Sequence, residues 1–223
     1  VKDSREGRPP FVFPRWTNQL RAIGVLGTVA VLIYLIVFVA WIFGPQASAV
    51  GYAPDQPVPY SHKLHAGELG IDCRYCHNTV ENMARAAIPP ASTCMNCHAM
   101  IRTTSEKLAS VRASFENGAH LGWARVHDLP DFVYFDHSAH LNAGVGCTSC
   151  HGRVDRMDVV HQEKPLTMGW CLDCHRNPRP HLRPRSAITR MDWGPQQAFA
   201  IAQRDLVREY DLTPTTNCST CHR

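Results

Sequence analysis

YSHKLHAGELGIDCRYCH, residues 60–77, sets how the rest of this chain is read. It closes on Cys-x-x-Cys-His (Cys73, Cys76, His77) and opens on an aromatic residue followed by His-x-x-His (His62, His65). The closing motif recurs four times: Cys94, Cys97 and His98; Cys147, Cys150 and His151; Cys171, Cys174 and His175; Cys218, Cys221 and His222. All 10 cysteines fall inside these motifs, so none is left for a disulfide framework. Two thiols at this spacing can form thioethers to the two vinyl groups of one porphyrin, and the histidine that follows reaches the iron as proximal ligand. Zinc knuckles and redox dithiols also use Cys-x-x-Cys. The histidine decides: with 13 His in 223 residues, chance places one at a given position about 6% of the time, and at all five about once in a million. Five covalently bound haem c groups are expected.

The opening motif recurs once. Residues 135–151 read FDHSAHLNAGVGCTSCH, again an aromatic, His-x-x-His (His137, His140), a glycine-containing turn and a haem motif. Each copy is followed by a second motif entered through proline, IPPASTCMNCH at 88–98 and KPLTMGWCLDCH at 164–175. The chain therefore divides into two dihaem modules and a single C-terminal haem. Thr103 with Glu106 predicts a capping box ahead of a helical stripe at Leu108, Val111 and Phe115, ended by Asn117-Gly118. A second stripe, Phe199, Ala202 and Leu206, follows Pro195. The fold class expected is a multihaem cytochrome c: a haem-dominated core, short helices and long loops, with one N-terminal transmembrane helix.

An electron-transfer haem takes a sixth ligand, whereas a catalytic haem keeps that position open. Eight histidines lie outside the motifs: His62, His65, His120, His127, His137, His140, His161 and His181. The repeat singles out His62, His65, His137 and His140, and spacing i, i+3 puts each pair on one helical face, able to serve two neighbouring haems. The fifth distal ligand stays open. His127 lies among aromatics, whereas His120, His161 and His181 lie in polar or Pro/Arg-rich stretches and read as solvated. Met168, three residues before Cys171, is the methionine candidate, ahead of Met100.

Residues 22–43, AIGVLGTVAVLIYLIVFVAWIF, carry no charge. A helix of this length spans about 33 Å, enough for a bilayer core and longer than a signal-peptide apolar region. Lys2, Arg5, Arg8, Arg15 and Arg21 precede it, and no Lys or Arg follows until Lys63. Positive flanks stay in the cytoplasm, so residues 1–21 are expected inside the inner membrane and the haem part outside, in the periplasm. Val1 is not a start methionine, so a few residues are expected to precede it. Residues 44–60, with Pro45, Pro54, Pro57 and Pro59, read as a stiff linker, leaving 61–223 as the pentahaem domain. The formal net charge of +4 does not point to nucleic acid: five ferric haems with their propionates would change it by about −5, and no long basic run exists.

PVPYSHKLHAGELGIDCRYCH, IPPASTCMNCH, VHDLPDFVYFDHSAH, GVGCTSCHGRVD and PLTMGWCLDCHRNP together resemble the pentahaem subunit of Alternative Complex III, a bacterial quinol:electron-acceptor oxidoreductase. The resemblance covers nearly all of 57–184, and the N-terminal span and the fifth motif agree with it. It implies a route from a membrane quinol site through an iron–sulfur subunit to these haems, then to a monohaem cytochrome c or another periplasmic carrier. It implies integral membrane subunits as partners and no catalytic site in this chain, and it maps distal ligation onto His62, His65, His127, His137 and His140. Two rivals stand beside it: a multihaem dehydrogenase that oxidises quinol directly, and a catalytic multihaem reductase. Cys73 lies well beyond the span, behind the proline stretch, which disfavours the first. The supply of distal histidines disfavours the second.

Overall fold

The computed structural model describes residues 12–44, 48–194, 197 and 205–222 and divides into two units, Val1–Ala47 and Ser48–Arg223. In the first, Pro14 leads into a 3-10 turn, Arg15–Asn18, which runs on into α1, Gln19–Ile42. Its 24 residues rise about 36 Å, and its length and composition suit a membrane span. The helix begins three residues ahead of the expected span because Gln19, Leu20 and Arg21 continue the turn opened at Arg15, and Phe43 becomes its C-cap. It is apolar on all sides rather than amphipathic, as a lipid-facing helix should be. The Thr28 hydroxyl donates to the Gly24 carbonyl one turn back (2.9 Å) and so needs no outside partner. Lys2, Arg5, Arg8 and Pro45 lie outside the described residues.

The second unit is a set of short helical turns joined by irregular chain. A wide π turn, Lys63–Glu68, precedes α2 (Cys73–Cys76), and α3 (Ala91–His98) packs against α4 (Ala109–Asn117). After a long loop come α5 (His137–Asn142), α6 (Thr148–His151), α7 (Met168–Arg176), α8 (Leu206–Glu209) and α9 (Cys218–Cys221). Among the described residues no strand forms, only isolated antiparallel bridges pairing Val133 with His222 and Val145 with Leu182. The buried apolar side chains described are Val58, Ala91, Val111, Leu141, Met157, Leu182, Ala187, Ile188 and Leu206. Only the first three form one cluster, edged by Cys94, Met95, Leu108, Leu121 and Trp123. A unit of this length normally buries about two thirds of the surface of its unfolded chain. Nine small or medium side chains cannot close such an interior, which suits a core completed by porphyrin.

Three local expectations meet different outcomes. α4 ends at Asn117 with Gly118 at φ 65°, the left-handed C-terminal residue the sequence predicted. The capping box does not form: the chain enters this region through a 3-10 turn, Glu106–Leu108, whose N-cap is Ser105 rather than Thr103, with no side-chain cap bond. The stripe begun at Pro195 falls outside the described residues up to Leu206, which is buried at the start of α8. The described part of the proline stretch, from Ser48, groups with the second unit. Gly51 N–H donates to the Gln162 carbonyl (2.7 Å) and Gln162 N–H to the Tyr52 carbonyl (3.0 Å). Gln56 and the Ala124 backbone bond reciprocally (2.9 and 3.0 Å). Proline prevents helix here, and the extended chain takes its partners from the domain instead.

Candidate metal and cofactor centres

Each Cys-x-x-Cys-His unit sits on one helical turn. Positions i, i+3 and i+4 share a face, so both thiols and the imidazole project to the same side. The turn closes on itself where His77, His151 and His222 donate their backbone N–H to the carbonyls of Cys73, Cys147 and Cys218 (2.9, 3.0 and 2.9 Å). Residues just ahead start these turns: Asp72 accepts from Arg74 N–H, Thr167 from Trp170 N–H and Asn217 from Ser219 N–H. All ten cysteines are unpaired. Among the described residues no three His, Cys, Asp or Glu side chains converge as a zinc site requires.

The two His-x-x-His segments share one construction. Tyr60 lies edge-on to His62 (4.8 Å between centroids, 89°) and stacked on His65 (4.5 Å, 23°). Phe135 repeats this on His137 (4.7 Å, 85°) and His140 (4.6 Å, 30°). The aromatic ahead of each motif thus fixes both rings. Six ligand-candidate histidines use Nδ1 on a backbone carbonyl: His65 on Ser61, His77 on Ala87, His98 on Ile101, His137 on Ala84, His140 on Asp136 and His175 on Thr215, all at 2.7–3.0 Å. A carbonyl only accepts, so Nδ1 carries the proton and Nε2 keeps its lone pair for a metal.

Ring pairs follow. His65 and His98 lie 6.2 Å apart between centroids, His137 and His151 6.4 Å, and His140 and His175 6.1 Å. Two imidazoles bound through nitrogen to opposite sides of one iron, at bonds of about 2 Å, have centres about 6.3 Å apart. Each pair joins a repeat histidine to a motif histidine, so the donor set fits a six-coordinate haem at three motifs. His62 is close enough to His77 to be depressed by its charge. Burial is the main cause of its low pKa, about 4, and its Nδ1 is buried without a hydrogen-bond partner. His151 is lowered to about 3, by burial first and then by His127, His137, His77 and His62. Neutral imidazole is the ligating form, so these shifts favour metal binding.

The remaining candidates are placed differently. His127 stands beside His151 on the other ring nitrogen, its Nε2 3.4 Å from His151 Nδ1 with centroids 4.4 Å apart. Its pKa is lowered, by burial first and then by His161, which is itself half-buried. His222 packs on Phe132 (5.8 Å) and bridges to Val133, and no described ring pair places a distal ligand opposite it. Met168 heads α7 and is 63% exposed, Met100 is 88% exposed, and His120 is exposed.

Burial raises seven of the thiols, Cys73 to about 11 and Cys150 to about 12, with Cys76, Cys94, Cys147, Cys171 and Cys174 raised for the same main reason. Neighbouring motifs add to this, Cys94 and Cys97 acting on Cys76, Cys147 on Cys73, Cys174 and Cys171 on Cys150, and Cys221 on Cys171. Sequence reasoning missed Arg183. It is 4% exposed and bound to Thr148 Oγ1 (2.7 Å) and the Arg190 carbonyl (2.9 Å), with Trp193 beneath it and Nε unpartnered. Burial lowers its pKa while Cys147 raises it. A buried guanidinium needs an anion, and beside a haem motif a propionate suits it. PRPHLRPRS reads as a solvated basic stretch, so only its prolines hinted at order.

Comparison with known proteins agrees with the donor set. Residues 133–223 match the family model described as cytochrome c7 and related cytochrome c. The chain is similar to the "Menaquinone reductase, multiheme cytochrome c subunit" of Nitratidesulfovibrio vulgaris, 28% identical over 169 residues, which cover 66% of this chain and 78% of that protein. Helices and loops around Cys-x-x-Cys-His turns, with one apolar N-terminal helix, give the fold class of a multihaem cytochrome c.

Proposed function

We propose that this multihaem cytochrome c is a membrane-anchored five-haem relay, with α1 as its anchor, the N-terminus in the cytoplasm and the haem unit in the periplasm. The haems supply reversible one-electron chemistry; the chain holds them, closes their axial positions and sets their spacing. His77, His98, His151, His175 and His222 serve as proximal ligands, and His62, His65, His137 and His140 as distal ligands to the first four motifs. His127, which stands beside His151, and Met168 are the remaining candidates for the distal ligand of the fifth motif. The observation that carries the relay reading is the set of histidine pairs 6.1–6.4 Å apart. Haems held between such pairs would supply one-electron transfer and would offer substrate no place on the iron.

The relay belongs in a quinol-oxidising complex of the Alternative Complex III type. It receives electrons through an iron–sulfur subunit and passes them to a periplasmic acceptor such as a monohaem cytochrome c. The sequence resemblance over 57–184 supports that setting, and the relative named as a menaquinone reductase subunit supports a quinone-linked complex. That name also favours a second reading in which the same relay carries electrons toward quinone, since paired ligation is indifferent to direction. The purified holoprotein should accept electrons from dithionite and pass them to a soluble cytochrome, yet stay oxidised with a quinol analogue. Rapid reduction by quinol, blocked by a quinone-site inhibitor, would instead make this chain a quinol dehydrogenase. Haem potentials well below that of the quinone would favour the reverse direction.

A further inference from the structure

We infer that the five haem sites are strung in the spatial order second, first, third, fourth, fifth, so that the haems on Cys94/Cys97 and on Cys218/Cys221 are the two ends at which electrons enter and leave. This rests on the five-haem reading above and adds the route. Each link has its own contact. Between the second and first motifs, Asn96 Nδ2 donates to Tyr75 Oη (3.1 Å), each residue lying between the two cysteines of its motif. His62 and His65, serving these two sites, stand one turn apart.

The first and third sites meet through two segments. The Lys63–Glu68 turn packs on the Val154–Arg156 turn just after His151, where Lys63 N–H donates to the Met157 carbonyl (3.0 Å). A Cβ at Gly67 would overlap the Asp155 carbonyl, so the two backbones touch. On the other side, Thr189 donates to Asp72 (3.0 Å) while Cys147 N–H donates to the Ile188 carbonyl (3.2 Å), so adjacent residues hold the starts of both motifs. The third and fourth sites share α5, with His137 facing His151 and His140 facing His175. The fourth and fifth meet where His175 Nδ1 donates to the carbonyl of Thr215, three residues before Cys218 (2.7 Å).

Chain order would need the second and third motifs side by side, whereas these contacts put the first motif between them. The physical cause is the i, i+3 histidine pair, which ties two haems within a module, while the turn after the third motif docks on the first. Partners are therefore redox proteins that bring their own centre to the second or the fifth haem and bypass the middle three.

The test uses the full-length holoprotein, its mass first checked for five haems. His65→Met raises the potential of the second-motif haem, and charge coupling then shifts its neighbours in a redox titration. One of the other four steps should move; two moving steps, as chain order requires, would overturn the route. Should the variant fail to mature, iron positions in the unaltered holoprotein decide. The second-motif iron is expected to have the first-motif iron as its one near neighbour, and finding it beside the third-motif iron overturns the order alone. A mass short of five haems overturns the five-haem reading and the order with it.

Discussion

The two dihaem modules carry the same signature in 18 and 17 residues, 60–77 and 135–151. The extra residue of the first lies after the second histidine, and there the chain opens into the π turn Lys63–Glu68, with Leu69 N–H reaching five residues back to Leu64 (3.0 Å). The second module runs as an ordinary helix, α5, capped by Asp136 on Ser138 and Ala139 N–H (2.8 and 3.3 Å). A π turn absorbs one residue in a helix, and such turns often lie at functional sites. On the N-terminal side nothing shifts: the aromatic keeps its distances to both rings, and His65 and His140 bond the carbonyls of Ser61 and Asp136 alike. The insertion is tolerated where it leaves the two ligand rings in place. The modules differ in one ligand detail. His137 Nδ1 is held by Ala84, whereas His62 Nδ1 is buried with no partner.

Breaking the ligands should give the largest effect. His62→Ala and His137→Ala should each turn one haem high-spin, visible by EPR; if both variants stay fully low-spin, the likeness of the modules does not concern iron. Next come the aromatics. Tyr60→Ala and Phe135→Ala should each cost about 2–4 kcal/mol in denaturant unfolding of the holoprotein, since each removes a ring packed on two imidazoles. A large loss in one and none in the other would show that only one module relies on its aromatic.

Gly67→Ala sharpens the difference between the modules. The added methyl meets the Asp155 backbone, which cannot swing aside, so destabilisation of about 1–3 kcal/mol is expected. No loss in thermal unfolding would mean that the two segments do not touch. The smallest effect belongs to the caps. Ser61 Oγ accepts one N–H, from Leu64 (3.2 Å), and Ser61→Ala should cost about 1 kcal/mol. Asp136 holds two N–H groups, so Asp136→Ala should be the more damaging of the pair; the reverse ranking would detach cap strength from bond number.

What the sequence made legible is chemistry confined to short spacings. Cys-x-x-Cys-His needs one helical turn, His-x-x-His needs one face, and a lipid-spanning helix needs only apolar residues in a row. What it hid depends on distant chain. Nothing near His98 names His65 as the ring across from it, and nothing in PRPHLRPRS shows that Arg183 is buried under Thr148. Proline density at 54–59 was read as a stiff spacer, yet Val58 is 5% exposed and joins Ala91 and Val111 in the core. Proline restricts the backbone without saying what the extended chain lies against. Thr103 failed as a cap because Ser105 begins a 3-10 turn ahead of α4, a choice that local propensity leaves undecided.

The measurement that bears most directly on the whole account is the mass of the denatured, full-length chain purified from its native membrane. Thioether bonds survive denaturation, so an increment of five haems over the polypeptide is predicted. An increment of fewer than five, or cysteines that are free or bind zinc instead, would contradict it.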